Sequence, residues 1–415
     1  MAQDKVTFLD ESKSNPAPTR ALSRRRILTT STGAAVALLS RPALASNGSA
    51  GQPSRPRALA GLEPRELFQQ TAESATLSRA EDEVGHPLLH EIDRPRRVGT
   101  TFSQRQCGYL GLDPLETFAE VCTLDLDLVR LCCYWDEIEP QEGEFDFTTL
   151  DALLEIATEH RIPVILAVGM KAPRWPEFHF PEWVRNRFPV HETGQPLDTL
   201  PGLADLVFTF VRAVVAHAQH TPAVRYWQVE NEPFHAMEIT GHRYLSKDFV
   251  EQEAALVREM ARPDQGIVVT NAINLWPPEG APEDDAALDQ SLAIADIIGI
   301  NVYGKVPMES GDYLQPSPAF WTKLRAWRGL IEDDGKDAWI AELQAEPWER
   351  SPWEVVRDLS TTISASPSQT LTMAARATLF GYETCLLWGC EYWVYRRLAG
   401  DDSWWAAMKV FVDAS

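Results

Sequence analysis

Eight short apolar runs alternate with amphipathic stretches of helical length from Arg97 onward, and this alternation limits the possible folds more than any other feature. The runs predict strands at 98–102, 128–133, 164–168, 225–229, 267–271, 297–301, 339–341 and 384–387. The stretches between them carry apolar residues at i, i+3 and i+4, and they predict helices at 148–159, 203–218, 247–260, 318–331 and 371–379. A repeat of strand and helix predicts a parallel sheet built from βα units.

The number and spacing of these units favour a closed barrel. About 320 residues spread over eight units is the usual size of a single (β/α)8 TIM barrel. An open doubly wound sheet is the alternative, but it would place a GxGxxG fingerprint after its first strand, and 98–104 has none. The barrel also predicts that functional residues directly follow strands, at the carboxyl end.

The first 45 residues are typical of an export signal. The sequence SRRRIL at 23–28 is followed by a weakly apolar run at 33–39 and by Ala43-Leu44-Ala45, a pattern that signal peptidases accept. This order resembles a twin-arginine signal cut after Ala45, with a basic tail or an uncut anchor as the alternatives. The run at 33–39 is too short to span a bilayer, which needs about 20 apolar residues.

We therefore expect three regions: a signal peptide at 1–45, a linker at 46–95 rich in Pro, Ser and charged residues, and a barrel domain at 96–415. The linker is expected to hold at most a short helix at 64–74. The twin-arginine machinery is the expected partner for export, and the expected location is extracellular or on the outer side of the cell envelope.

The charge of the chain argues against polyanionic partners. The full sequence has a net charge of −22, and removal of residues 1–45 would leave 31 basic and 57 acidic residues, a net charge near −26. Such a surface repels nucleic acid and anionic lipid heads, so we expect neither nucleic-acid binding nor stable membrane insertion after signal removal. We also expect no cofactor.

The six cysteines show no CxxC spacing of the kind that binds metals. They are expected to be packing residues. Cys107 and Cys390 could meet across the barrel seam, which leaves a disulfide possible.

The strongest local motif is YWQVENEP at 226–233, an apolar strand that ends in Glu230, Asn231 and Glu232 before a proline. Unpaired carboxylates held away from water cost several kcal/mol, so such a cluster persists mainly where a ligand or a partner uses it. A solvated strand end with ordinary charges is the alternative.

A second motif, WIAELQAEPW at 339–348, repeats this pattern at the seventh predicted strand. Glu342 stands beside an amide and is followed by an aromatic loop. The ends of strands four and seven face each other across the mouth of an eight-stranded barrel, so Glu232 and Glu342 can approach each other there.

The motifs WQVENEPF, GINVY, AELQAEPW and LLWGCEYW, in that order, resemble those of the clan A glycoside hydrolases from Arg97 to Ala407. The resemblance implies that Glu232 is the general acid/base and that Glu342 is the nucleophile attacking the anomeric carbon. It further implies that Asn231 hydrogen-bonds the sugar 2-hydroxyl.

An oxocarbenium-like transition state requires a proton on one side of the sugar and negative charge on the other. A separation of about 5 to 5.5 Å gives retention through a glycosyl-enzyme, whereas about 6.5 to 9.5 Å gives inversion. We predict the short separation, with a raised pKa for Glu232 and an ionised Glu342. Glu230 and Glu346 are predicted not to be catalytic.

Neighbouring residues complete the predicted site. Arg130 would hold Glu342 ionised, and Tyr303 resembles the clan's tyrosine that contacts the nucleophile, although it could instead pack on the rim. Trp135, Trp175 and Trp388 follow predicted strands and are expected to stack on sugar rings, Trp388 above all. Packing in the core or in loops is the alternative for such aromatic residues.

The loop KAPRWPEFHF at 171–180 follows the third predicted strand. Its Lys171, Arg174 and Glu177 could reach sugar hydroxyls, or they could be ordinary surface charges.

The sequence indicates the substrate less clearly than it indicates the clan. Family 5 members usually place a histidine two residues before the sixth-strand tyrosine, where this chain has Asn301. The aromatic third loop favours an endo-acting β-glucanase or mannanase, with an exo-acting β-galactosidase or β-glucosidase as the alternative.

Two other classes of function remain open at this stage. One is a non-catalytic carbohydrate-binding barrel. The other is a metal-dependent barrel hydrolase, which is disfavoured because the nine histidines are scattered.

Overall fold

The structure, a computed structural model, describes residues 5–7, 94–192, 194–237, 240–275, 281–308, 312–349 and 362–413. The predicted signal peptide and linker, including the predicted helix at 64–74, lie outside the described residues apart from 5–7 and 94–95. These regions stay predictions.

Eight parallel strands close into a barrel, as predicted. They are β1 Arg97–Thr101, β2 Leu128–Cys132, β3 Val164–Val168, β4 Val224–Val229, β5 Gly266–Ala272, β6 Ile297–Val302, β7 Asp337–Gln344 and β8 Thr384–Trp388. Each strand pairs with the next along the chain, and β8 pairs with β1. The (β/α)8 prediction is confirmed, and a closed sheet excludes the open doubly wound alternative.

Helices surround this barrel. They span Gln104–Leu110, Pro114–Cys122, Trp135–Ile138, Thr148–Glu159, Glu182–Arg187, Leu203–Ala218, Lys247–Met260, Pro282–Leu292, Pro318–Asp333, Pro367–Leu379, Cys390–Leu398 and Ser403–Asp413. A 3-10 turn covers Leu197–Thr199. Two short antiparallel pairs lie outside the barrel, Lys5–Thr7 with Val190–Glu192 and Val306–Pro307 with Tyr313–Leu314. Every helix in the described part of the chain is too short or too polar to cross a lipid bilayer.

The largest difference from the predicted bounds concerns β7. The apolar pattern predicts a strand at 339–341, whereas β7 continues through Gln344. The register of β7 against β6 shifts between Ile340 and Glu342. A bulge of this kind redirects side chains, and here it lets both Ala341 and Glu342 point into the barrel. Such a bulge cannot be predicted from the pattern of apolar residues in the sequence.

The interior of the barrel is divided along its axis. Its lower part is filled by an apolar layer, here called the floor, which consists of Leu128, Ile165, Val268, Ile297, Trp339, Ala341 and Leu386. The mouth, at the carboxyl ends of the strands, instead holds buried polar and charged side chains. A larger apolar core lies between the strands and the helices.

All six cysteines are buried and unpaired. Cys390 donates its thiol to the carbonyl oxygen of Thr101 at 3.2 Å. The possible disulfide between Cys107 and Cys390 is therefore not formed, and the expectation that the cysteines are packing residues agrees with their burial.

Candidate active site

The two predicted carboxylates lie at the mouth of the barrel. Glu232 follows β4 and Glu342 lies in β7, and only 4% and 3% of their respective surfaces are exposed. Asn301 on β6 is the register partner of Glu342 and donates its Nδ2 to Oε1 of Glu232 at 2.6 Å. Asn301 thus lies beside Glu342 in the sheet and contacts Glu232 through its side chain, so both carboxylates occupy the same end of the barrel.

Glu342 is held by hydrogen bonds to both of its oxygens. Arg130 donates to Oε1 at 2.5 Å, and the hydroxyl of Tyr303 donates to Oε2. Arg130 is fully buried and is itself fixed by Thr101 at 3.0 Å and Gln228 at 2.8 Å. The guanidinium provides the counter-charge that a buried carboxylate requires, and the two bonds fix the orientation of the carboxylate.

Glu232 has different surroundings. Burial, followed by the negative charge of Glu177, raises its pKa to about 8, while Lys171 opposes the shift. Glu342 raises the pKa further, and the hydrogen bond from Asn301 lowers it. The side chain therefore keeps its proton at neutral pH, as a general acid requires.

The backbone around Glu232 is strained. Glu230 and Glu232 have φ values of 59° and 43°, in the left-handed region that non-glycine residues avoid. The amide of Glu232 donates to Oγ1 of Thr270 at 2.9 Å, and the ammonium group of Lys171 donates to the carbonyl of Glu232 at 2.9 Å. Strain of this kind persists only where surrounding contacts fix it, and it clusters at functional sites.

Glu230 has a structural role. Its carboxylate accepts hydrogen bonds from the backbone amides of Met170 and Lys171, at 2.8 and 2.6 Å. A Cβ added to Gly169, which has a φ of 128°, would lie 2.4 Å from this carboxyl group. Glycine is thus required at 169 to make room for Glu230, and the side chain is fully engaged beneath the site.

Glu346 is also engaged by the protein. It accepts hydrogen bonds from Arg174 and from Gln106, the latter at 3.4 Å. Arg174 contacts Glu391 as well, at 3.4 Å, so the three side chains form a buried ionic cluster beside the mouth.

The other predicted substrate residues take different positions. Asn231 is buried next to Glu232, and its Oδ1 accepts from Thr270 at 3.1 Å and from Gln228 at 3.3 Å. The ring of Trp388 lies 4.1 Å from the guanidinium carbon of Arg174. Its buried Nε1 has no hydrogen-bond partner among the described residues. Trp175 lies in the third loop and is 46% exposed.

Trp135 does not lie at the site, which corrects the expectation that it stacks on a sugar. It begins the short helix Trp135–Ile138 and is fully buried. Its ring packs on Phe210 at 5.4 Å between centroids, and its Nε1 donates to Glu139 at 2.7 Å. Neither the ring face nor the N–H group is available to a ligand.

The loop after β3 lies inside the mouth. Lys171 is fully buried and Arg174 is 7% exposed, so the alternative of ordinary surface charge is wrong for both. Lys171 forms an ion pair with Glu177 at 3.2 Å.

Several polar residues of the mouth are not singled out by the sequence. Gln228, Thr270 and Glu391 all support site residues through the hydrogen bonds given above. A signal does exist, because Gln228 and Thr270 are polar residues within buried strands and Glu391 comes three residues after one. In the described part of the chain, no three His, Cys, Asp or Glu residues are grouped so that they could hold a metal ion.

A closed barrel with a glutamate after β4 and a glutamate in β7 is the arrangement that the motifs predict for clan A glycoside hydrolases. Comparison with known proteins confirms this class. The model of a family of that clan, described as β-galactosidase (glycoside hydrolase family 42), matches residues 116–258. The matched segment contains Arg130, Asn231 and Glu232 and ends before Tyr303 and Glu342.

Curated relatives match a similar segment. Over 118 residues the chain is 29% identical to the β-galactosidase bgaB of Geobacillus kaustophilus, covering 26% of this chain and 17% of that protein. Over 114 residues it is 28% identical to the β-galactosidase LacZ of Heyndrickxia coagulans, covering 24% and 16%. The matched part is less than a fifth of the length of either relative.

Among solved structures, the chain is similar to the β-galactosidase of the Antarctic haloarchaeon Halorubrum lacusprofundi. The TM-score is 0.48 at 15% identity, with 70% of this chain and 52% of that chain covered. It is also similar to xylanase 10B of Thermotoga maritima, with a TM-score of 0.45 at 16% identity and coverage of 74% and 86%.

Proposed function

We propose that the protein is a retaining glycosidase of the exo-acting β-galactosidase type, which releases terminal β-linked galactose by double displacement. The loop composition favours an endo-acting β-glucanase or mannanase. The family match and the curated relatives support the exo-acting alternative instead, and the proposal therefore follows them.

The observation that carries the hydrolytic part of this proposal is the different environment of the two carboxylates. Glu342 has both oxygens fixed, with Arg130 as its counter-ion, whereas Glu232 has a pKa of about 8 and only Oε1 engaged by Asn301. A nucleophile must be ionised and oriented, and a general acid must hold a proton and keep one oxygen open toward the leaving group.

The reaction would proceed in two steps. Glu232 donates its proton to the glycosidic oxygen while Glu342 attacks the anomeric carbon, which breaks the glycosidic bond and forms a glycosyl-enzyme ester. Glu232, now ionised, removes a proton from a water molecule, and that water attacks the anomeric carbon and frees Glu342. Two inversions at one carbon retain the anomeric configuration.

The first experiment measures kcat/KM of the full chain on 4-nitrophenyl β-galactoside, β-glucoside, β-mannoside and β-xyloside and on soluble β-glucan and mannan. We expect the galactoside to have the highest value. Faster cleavage of a polysaccharide would contradict the exo-acting assignment and favour the endo-acting enzyme.

The second experiment follows the anomer formed first, by NMR on a galactoside that is hydrolysed faster than the product mutarotates. Release of β-galactose supports retention, and release of α-galactose would contradict it. The matched control is Glu342→Gln, because equal sugar release by this variant and by the wild type would point to a carbohydrate-binding barrel with contaminating activity.

We further propose export by the twin-arginine route, on the basis of the sequence at 23–45. Replacement of Arg24 and Arg25 by lysine should retain the protein in the cytoplasm, as measured by cell fractionation. Unchanged export of this variant would contradict the proposed route.

A further inference from the structure

The carboxylates around the mouth differ in how many of their oxygens the protein engages. Four of them have both oxygens hydrogen-bonded to the protein: Glu230, Glu342, Glu346 and Glu391. Such a side chain has a fixed position and fewer free acceptor sites for a ligand than a carboxylate with an unengaged oxygen.

Glu232 and Glu177 are different. Glu232 uses Oε1 for Asn301, and Glu177 uses Oε2 for Lys171, at 2.6 and 3.2 Å. The contact of Glu177 with Lys171 is an ion pair only, and among the described residues nothing donates a hydrogen bond to Oε2 of Glu232 or to either carboxylate oxygen of Glu177. For Glu232 the proposed mechanism explains the open oxygen, since the leaving group needs it. For Glu177 no contact with the described residues explains it.

Glu177 is held in place by its own loop. Its amide donates to the carbonyl of Arg174 at 2.8 Å, and its carbonyl accepts from the amide of Ala172 at 2.8 Å. Its φ of 67° is in the left-handed region, and Arg174 has a φ of 88°. The loop thus adopts a strained conformation at two non-glycine residues, which directs the Glu177 side chain inward, where 13% of it is exposed.

Glu177 and Glu232 share a contact with Lys171. The ammonium group of Lys171 lies 3.2 Å from Oε2 of Glu177 and donates to the carbonyl oxygen of Glu232 at 2.9 Å, so Glu177 lies beside Glu232. In agreement with this position, the charge of Glu177 raises the pKa of Glu232, and the charge of Glu342 raises the pKa of Glu177.

A third carboxylate at this place is unfavourable for stability. Like charges repel at short range, and Lys171 is the direct ion-pair partner of Glu177. Replacing a buried ion pair by apolar residues of similar volume often leaves the stability of a protein unchanged or raises it. Stabilisation of the loop is therefore not a sufficient reason for an ion pair at this position. A carboxylate oxygen that receives no hydrogen bond from the described residues is instead what a sugar hydroxyl requires as a hydrogen-bond partner.

We propose that Glu177 is a specificity-determining residue whose free oxygen accepts a hydrogen bond from one hydroxyl of the sugar bound between Glu232 and Glu342. This inference rests on the proposed function. It extends that function by naming a side chain, in the loop after β3, that recognises a hydroxyl of the sugar ring.

The test combines substitutions of Glu177 with substrates that each lack one hydroxyl. Wild type and Glu177→Ala are compared on 4-nitrophenyl β-galactoside and on its 3-, 4- and 6-deoxy analogues, with kcat/KM as the readout. We expect Glu177→Ala to lose about tenfold to a hundredfold on the parent, the size of a hydrogen bond to a charged group. On the one analogue that lacks the partner hydroxyl, the variant should lose almost nothing relative to wild type.

Equal losses on all four substrates would overturn the assignment, because a structural or purely electrostatic role does not depend on a hydroxyl. Glu177→Gln, which preserves shape, should give a smaller loss with the same pattern, and it is the readout if the alanine variant fails to fold. The matched control is Glu346→Gln, since both oxygens of Glu346 are engaged by the protein. Its loss should be the same on all four substrates.

The two proposals can fail separately. Turnover by the wild type with uniform losses in Glu177→Ala overturns the role of Glu177 alone. If the wild type hydrolyses none of the glycosides, the proposed function fails, and galactose binding measured by calorimetry becomes the test of Glu177. Equal affinities of wild type and Glu177→Gln would then overturn this inference too.

Discussion

The floor and the mouth of the barrel are built by the same eight strands, yet they bury opposite kinds of side chain. The floor consists of seven apolar residues, of which Trp339 is the largest. A few residues further along the strands, the mouth buries Arg130, Lys171, Glu232 and Glu342, none of them more than 4% exposed. Apolar burial stabilises a fold, whereas buried charge rarely does. We infer that stability is concentrated in the floor and chemistry in the mouth.

The largest effect is expected for Glu342→Gln. The variant keeps the size of the side chain but removes the nucleophile, so kcat/KM should fall by at least about 10⁴-fold, as for other nucleophile replacements. Steady-state kinetics on 4-nitrophenyl β-galactoside measure the loss, and near-UV circular dichroism checks the fold. A loss of less than tenfold in a folded variant would contradict the assignment of Glu342.

A smaller and substrate-dependent effect is expected for Glu232→Ala. Loss of a general acid costs about 10²- to 10⁴-fold when the leaving group needs a proton, and much less when it does not. Lactose should therefore be affected more than 2,4-dinitrophenyl β-galactoside. Added azide should restore turnover and yield β-galactosyl azide, because the anion can attack the glycosyl-enzyme in the space that the side chain leaves. Equal losses on the two substrates would speak against this role.

A substitution in the floor should lower the stability of the protein and leave its activity unchanged. Trp339→Ala removes the largest side chain of the apolar layer and should lower the free energy of unfolding by about 3 to 5 kcal/mol. The kcat/KM of the folded fraction should stay unchanged. Denaturant titration followed by tryptophan fluorescence measures the first quantity.

Trp175→Ala is the matched tryptophan control, since Trp175 is 46% exposed in the third loop. Its stability should change by no more than about 0.5 kcal/mol. A large stability loss in this control, or none in Trp339→Ala, would contradict the division between floor and mouth.

The smallest effect concerns pH. The acid form of Glu232 is active, so wild-type kcat/KM should fall as the pH rises through about 8, the pKa of this side chain. The Asn301 amide donates to the carboxyl group and favours its ionised form, so Asn301→Ala should raise this pKa and move the basic limb to higher pH. The profile of kcat/KM against pH measures both. A limb that moves to lower pH would show that Asn301 does not act on Glu232 in this way.

The barrel is predictable from the sequence because its signal is repeated eight times. Apolar runs locate all eight strands, and the helices Thr148–Glu159, Leu203–Ala218 and Lys247–Met260 have the predicted bounds. Short helices such as Gln104–Leu110 and Cys390–Leu398 are not predicted. Each has nine residues or fewer, which is too short for the periodic pattern to be distinguished from chance.

The site is predictable only where a motif fixes a residue at a strand end. Glu232 and Glu342 are of this kind, and their roles stay predictions until they are tested. Trp135 also follows a strand, but it begins a helical turn that carries its ring outward against Phe210. The burial of Lys171 and the contact between Asn301 and Glu232 depend on the path of a loop and on the side-chain arrangement across the barrel. Neither the path of the loop nor this arrangement can be predicted from the spacing of residues in the sequence.

The complete burial of all six unpaired thiols has a practical consequence. Burial raises the pKa of Cys132 to about 12, and it acts in the same direction on the other five, so the folded protein holds almost no reactive thiolate. An alkylating reagent can reach these sulfur atoms only when the strand or helix around them opens. The cysteines are therefore natural reporters placed in β2 and directly after it, in β8 and in three surrounding helices. The labelling rate of each would measure how often its part of the barrel unfolds.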